Sequence, residues 1–212
     1  NEYYYGEKPK LKKVTALNLG NDAVLAAAQS GQVDLVFAPP EFAKASVPNM
    51  KLVVMDTIDS FCVNMPQEPE HDENGMLVGN NVTSDPAIRQ ALNIGIDRKA
   101  IIENALDGFG KPTMNFAEAL SWANNDLQES DNRVDEAVKI LEAAGWVDTD
   151  GDGIREKNGQ KAEFVINGRS NDLQRYNTAV ALAQDAKKLG INIIAKSTPW
   201  SEARKIARNI PT

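Results

Sequence analysis

The sequence is poor in the residues that most directly announce chemistry. Among its 212 residues there is one cysteine, Cys62, and one histidine, His71. A lone cysteine excludes an intrachain disulfide, and one histidine with one cysteine at no plausible spacing excludes a histidine–cysteine nucleophile pair. Cys62 falls in the apolar run "SFCVNM", where a small buried side chain is the simplest reading. Basic charge is also scarce. Lys and Arg number 23 against 30 Asp and Glu, for a net charge of −7 and a pI near 4.9, which argues against a nucleic-acid surface. The one dense basic run, "PKLKK" at 9–13, reads as a solvated entry to a strand. No apolar run is long enough to span a bilayer. The opening "NEYYYGEKPKL" carries no export signal, as expected of a cytoplasmic protein or of a piece of an exported one.

What is present is the material of a folded core. Hydrophobic residues make up 42% and charged residues 25%, enough apolar content to rule out wholesale disorder. "KVTALNL" (13–19) reads as a strand and "DAVLAAAQS" (22–30) as a helix stopped by Gly31. "VDLVFA" (33–38) is a second strand ended by two prolines. Together these predict a strand–helix–strand unit with parallel pairing. "KLVVM" and "SFCVNM" (51–55, 60–65) read as two more strands. Residues 66–84, rich in Pro, Gly and Asn, form a long polar loop in which His71 reads as a solvated surface group.

The stretch "SDPAIRQALNIGIDRKAIIENALDGFGKP" (84–112) predicts two helices back to back. Asp85 is a good N-cap with Pro86 at the first helical position. Ile88, Ala91, Leu92, Gly95 and Ile96 share one face. Asp97 caps a second helix, with Ile101, Ile102, Ala105 and Leu106 as its stripe and Gly108 and Gly110 at its end. A third helix fits 131–146, with Val134, Ala137, Val138 and Leu141 as its stripe and Gly145 as its stop. "KAEFVING" (161–168) alternates as a strand, 172–190 is a long amphipathic helix ended by Gly190, and "INIIAKS" (191–197) is a strand. Alternating helices and strands make the fold class α/β.

These segments, in this order, resemble the family 5 solute-binding proteins, the extracellular receptors of ABC importers for dipeptides, oligopeptides and nickel. "DPAIRQALNIGIDRKAIIENALDGFGKPT" resembles that family's signature region, and "YYYGEKPKLKKVTAL" followed by "LAAAQSGQVDLV" the segment before it. "DEAVKILEAAGWVDTDGDGIREKNGQKAEFVI" and "LAQDAKKLGINI" resemble the family's segments C-terminal to that region. The resemblance implies a periplasmic-binding-protein type II-like α/β fold. It implies that residues 1–57 are the end of a first lobe and 58–212 much of a second. The chain is then an internal fragment, without its return to the first lobe, and the parent is an extracellular or periplasmic lipoprotein that works with ABC permease subunits. The aspartate that pairs with a peptide's amine in peptide-binding members is expected beyond residue 212. A fragment of this kind is expected to bind ligand weakly or not at all. The 66–84 loop is longer than the family usually carries.

The sharpest local motif is "DTDGDGIRE" (148–156). Asp148, Asp150 and Asp152 occupy positions 1, 3 and 5 of a calcium loop, with Gly153 at position 6, the carbonyl of Ile154 as a further oxygen and Glu156 as a late one. Arg155 stands where an aliphatic residue is usual, Gly159 stands in place of the closing glutamate, and "KNGQ" predicts a hairpin turn. The alternative is an Asp/Gly turn whose carboxylates cap nearby N–H groups. A structural calcium is the only cofactor in view, and no nucleophile stands beside these acids. For ligand binding, the resemblance places "NFAEALSWANNDL" (115–127) near the cleft. Trp122 and Phe116 then supply apolar walls and Asn124 or Asn125 a polar contact, against a reading of Trp122 as core packed under its loop. Asn64 matches an asparagine common after its strand in the family, either a cleft residue or a backbone partner. Trp146 and Trp200 read as core, with Trp200 also placed to line the cleft because it follows a strand.

The leading function is therefore the solute-binding component of an importer, not an enzyme, taking a di- or oligopeptide. The alternative within the family is nickel, held as a small-molecule chelate, since one His and one Cys cannot build a direct site. Two alternatives come from other classes. One is a hydrolase using a serine–carboxylate or two-carboxylate arrangement. The other is a calcium-stabilised interaction module.

Overall fold

A computed structural model describes residues 3–37, 42–54, 61, 63, 65, 70–71, 75, 77–115, 120–124 and 131–207. The chain divides into two compact units, Asn1–Val53 and Val54–Thr212.

In the first unit, α1 (Asn21–Gln29) forms on the Ala-rich run, with Ser30 as its C-cap and Gly31 following at φ +71°. Its flanks correct the expected strand–helix–strand unit. Residues 13–19 and 33–37 belong to no strand among the described residues, nor do 51–54. Leu17, Leu35, Phe37 and Val53 are exposed. Helix bonds are local and complete themselves, whereas a strand exists only once a partner supplies the other half of its ladder. An apolar pattern can predict the tendency but not the partner.

In the second unit, the long loop contains a short antiparallel pair, β1 (Glu70–His71) with β2 (Leu77–Val78). His71 is exposed. A turn capped by Asn80 Oδ1, which accepts from the Val82 and Thr83 N–H groups, leads into α2 (Pro86–Gly95). Asp85 Oδ1 accepts from Ala87 N at 2.9 Å, the expected N-cap. After a single extended residue, Asp97 caps α3 (Arg98–Leu106) by accepting from Ala100 N at 2.8 Å. That helix ends in a left-handed Asp107 (φ +54°), one residue before the expected glycine. Asp can hold this conformation because its short polar side chain bonds locally.

The junction between α2 and α3 is held from outside. Asp97 N donates to Asp185 Oδ2 at 2.8 Å and Arg98 N to Asp131 Oδ1 at 2.9 Å. Asn132 N and Arg133 N donate to the Ile96 and Ile94 carbonyls, which sets the start of α4 (Val134–Ala143) against α2. Gly95 allows this approach, because a Cβ there would lie 2.7 Å from the Cβ of Ala137 and 2.9 Å from the Leu189 methyls.

After α4 come the hairpin β3 (Glu156–Lys157) and β4 (Gln160–Lys161), then β5 (Glu163–Arg169), α5 (Leu173–Ala186), a 3-10 turn, β6 (Asn192–Thr198) and α6 (Trp200–Ala207). Asn158 and Gly159 both take positive φ, 53° and 77°, the signature of the two-residue hairpin turn that "KNGQ" predicts. Strands β5 and β6 are parallel in register Glu163 to Asn192 through Arg169 to Thr198, crossed over by α5. The core joins α2 and α4 to this β–α–β unit through Ile88, Leu92, Leu141, Trp146, Phe164, Leu189 and Ile191. Burying aliphatic and aromatic side chains of this kind is worth about 1.5–3 kcal/mol each. The other sheet face leaves Val165 and Ile194 about half exposed.

Candidate functional site

The acidic loop connects the end of α4 to β3, and its carboxylates build it. Asp148 accepts from Gly151 N (2.8 Å) and Gly153 N (3.0 Å), Asp150 from Asp152 N (3.1 Å), and Asp152 from Ile154 N (2.8 Å). Glu156 Oε2 accepts from both the N–H and the hydroxyl of Thr149. Glycines at 151 and 153 adopt φ of +77° and +87°, which the turns require. One oxygen from each of Asp148, Asp150, Asp152 and Glu156 lies within 4.8 Å of the others, so four of the five expected calcium ligands converge. The fifth, Ile154, packs its half-buried side chain against the core.

A cation already stands among these acids. Lys161 Nζ, from the facing strand β4, pairs closely with Asp152, lies 3.3 Å from Asp150, and sits 3.9 Å from Glu156. The contact with Asp152 pushes the lysine pKa up to about 12 and, reciprocally, holds the Asp152 carboxyl below its usual range. Sequence reading missed Lys161 because its place depends on the hairpin register, in which Lys161 stands opposite Glu156. Arg155, the departure from the calcium-loop pattern, has a structural task instead. It donates to the Leu189 and Trp146 carbonyls and pairs with Glu142, fastening the loop to the core.

The hairpin is also tied to α2. Asp85 Oδ2 accepts from Lys157 Nζ at 2.7 Å and Trp146 Nε1 at 3.0 Å. Partial burial works against the charged form of Asp85, yet the Lys157, Ala87 and Trp146 bonds outweigh it and lower the pKa. One residue thus serves as helix cap, indole acceptor and counter-ion.

A second constellation lies at the carboxyl ends of β5 and β6, where ligands settle in open α/β sheets. Thr198 Oγ1 donates to Asn167 Oδ1 across the strand pair at 2.9 Å. Beyond it the Arg169 guanidinium lies 4.3 Å from the centroid of the Trp200 ring. Trp200 therefore corrects its reading as core. It opens α6 and remains 44% exposed, with the arginine against its ring. Asp172 caps α5 through Arg175 N and pairs with Arg169 and Arg175, and Arg175 in turn lies 4.4 Å from the Phe61 ring centroid. Neither arginine was legible as a site residue, since each joins a ring distant in sequence.

Of the residues assigned to the cleft, Trp122 is 69% exposed, which corrects the reading of it as packed core. Asn124 is exposed as well, and its carbonyl accepts from Asn115 Nδ2 at 3.3 Å. Phe116, Asn125 and Asn64 lie outside the described residues, as does Cys62. Trp146 is core, 2% exposed.

Comparison with known proteins decides the family. The model of "Bacterial extracellular solute-binding proteins, family 5 Middle" matches residues 1–210. The chain belongs to that family. It is 31% identical over 201 residues to the nickel-binding periplasmic protein of Escherichia coli, covering 91% of this chain and 36% of that protein. The structure of the oligopeptide-binding protein AppA from Bacillus subtilis, in complex with a nonapeptide, superposes with a TM-score of 0.65 at 26% identity. The match covers 88% of this chain and 36% of that one. NikA from Brucella suis, in complex with Fe(III)-EDTA, gives a TM-score of 0.74 over 97% of this chain and 41% of that one; at 23% identity it shows the fold alone. The type II periplasmic-binding-protein class expected from sequence is thereby shown. The chain spans about a third of the length of the relatives it matches.

Proposed function

We propose that this chain is part of the substrate-binding component of an ABC importer, a receptor rather than an enzyme, whose parent acts outside the cytoplasmic membrane with permease subunits. The observation that carries the reading is the match to a receptor family along residues 1–210. The carboxyl ends of β5 and β6 support it with half-exposed polar and aromatic groups of the kind that fix a small solute. Residues 1–57 are assigned to the end of the first lobe and 58–212 to the second, with Trp122, Phe116, Asn64 and Asn124 as further ligand contacts.

A di- or oligopeptide is the first choice of solute, because AppA was determined with a nonapeptide at 26% identity. A nickel chelate is the second, favoured by the 31% identity to a nickel-binding protein. Native mass spectrometry of the full-length protein, purified without refolding, tests both. Heterogeneous added masses that fragment as peptides support the first, a single mass with a nickel isotope pattern moves the assignment to the second, and turnover of generic esters or glycosides by the purified protein overturns a receptor role.

Calcium is proposed for the acidic loop on the convergence of its four carboxylates. An ion there takes the place of Lys161 Nζ, so binding is an exchange of one cation for another.

A further inference from the structure

Three asparagines in the chain are followed by glycine, at 74, 158 and 167. Glycine has no Cβ to shield its amide nitrogen, so at such a pair that nitrogen can reach the side-chain amide carbon before it. Asn74 lies outside the described residues, and the other two pairs stand in opposite settings. Asn158 and Gly159 form the tip of the β3–β4 hairpin, both exposed and both at positive φ. The ladder there belongs to the flanking Lys157–Gln160 pair, and the Asn158 side chain has no hydrogen-bond partner among the described residues. The strands behind the turn are two residues each, so rotating the Asn158 backbone opens little beyond the turn. Asn167 is held on both sides of the corresponding bond. Its Oδ1 accepts from Thr198 Oγ1 at 2.9 Å, and Gly168 is buried in the parallel ladder opposite Ser197. A Cβ at Gly168 would lie 2.9 Å from the Tyr176 Cα, so α5 closes over that pair.

We propose that Asn158 is a site of spontaneous deamidation and isoaspartate formation, and that the fold protects Asn167 from the same reaction. The Gly159 nitrogen, after giving its proton to solvent hydroxide, attacks Asn158 Cγ. The N–Cγ bond forms, the Cγ–Nδ2 bond breaks, and ammonia leaves with a proton from water, closing a five-membered succinimide. Water then opens the ring at either carbonyl. Breaking the N–Cγ bond gives aspartate. Breaking the bond from that nitrogen to the Asn158 carbonyl carbon gives isoaspartate, whose main chain runs through Cγ. The first product keeps the turn, because aspartate tolerates the left-handed conformation. The second lengthens the main chain by one carbon in a turn whose length fixes the strand register. That register sets Lys161 opposite Glu156, with its ammonium beside Asp150 and Asp152. Isoaspartate at 158 therefore loosens Lys161 from the acidic loop.

The test incubates the full-length protein in mildly alkaline buffer, native and in urea. Tandem mass spectrometry that distinguishes isoaspartate from aspartate follows the peptides containing Asn158 and Asn167. In urea both pairs are expected to convert. In native buffer Asn158 is expected to stay within about tenfold of its urea rate, while Asn167 slows by about a hundredfold or more because its ladder must open first. Native protection of Asn158 as strong as that of Asn167, or native conversion of Asn167 at its urea rate, overturns the assignment. The isoaspartate form, separated by ion exchange, is expected to melt below Asn158→Asp, which carries the same charge on an unaltered backbone. In a Lys161→Met background that difference is expected to shrink, since the ammonium is already gone. Equal melting of the two forms, or a difference undiminished in Lys161→Met, overturns the coupling to the acidic loop.

Discussion

Asp85 shows how much a single side chain is asked to do in this fold. It caps α2, accepts from the Trp146 indole and pairs with Lys157. Losing a cap costs about 1 kcal/mol, and stranding two further donors adds to that. Asp85→Ala is therefore expected to lower unfolding stability by about 1–3 kcal/mol in urea titration, and Asp85→Asn by less because asparagine still caps. The lowered pKa sets the pH dependence. Stability from Asp85 is fully present above its unfolded value of 3.8 and is lost as pH falls through the lower folded value. A thermal melt series should show that acid loss in the parent and a smaller one in Asp85→Asn. The cap was visible in the sequence because it acts within three residues. The indole and ammonium partners, 61 and 72 residues away, were not.

Among elements, the acidic loop and its hairpin act as a unit. The carboxylates satisfy the loop's own N–H groups, as the capping alternative requires, and also converge as a calcium site requires. Lys161 decides the balance between the two. With its pKa raised from 10.5 to about 12, the stability it contributes is fully present below pH 10.5 and lost as pH rises through about 12, so the ammonium is a permanent fixture at neutral pH. Lys161→Met removes that cation and leaves the acids to repel one another. Millimolar calcium is accordingly expected to raise the melting temperature of Lys161→Met by more than that of the parent. Equal, negligible shifts in both proteins would rule out the calcium assignment. Aspartates at alternate positions form a pattern plain in the sequence. The lysine that answers them is set by strand register across an Asn–Gly turn, and register is a property of the pair.

At the scale of the whole molecule, the two units differ in how far they complete themselves. The second has a contiguous core built from α2, α4, the loop tryptophan and the β5–α5–β6 unit. In the first, Ala27 and Ala28 are buried while Leu11, Val14, Leu35, Phe37, Leu52 and Val53 are exposed. Exposed apolar surface of this extent binds hydrophobic probes, so the 212-residue chain by itself is expected to enhance the fluorescence of an apolar dye well above the full-length protein at equal concentration. Equal fluorescence from the two would show that these side chains find cover within the chain itself. The sequence by itself determined the helices α1 to α5, the Asp85 and Asp97 caps, the strand–helix–strand order of 161–197 and the hairpin turn. Those depend on bonds within a few residues or on a strong period, and the family followed from their order. Only tertiary structure decided that the apolar segments at 13–19, 33–37 and 51–54 form no ladder among the described residues, that Trp122 and Trp200 reach the surface while Trp146 is enclosed, and that Lys161 and Arg169 stand at the two charged sites. Strand partners, burial and ion pairs all join residues far apart in the chain, and no local pattern encodes which distant group will arrive.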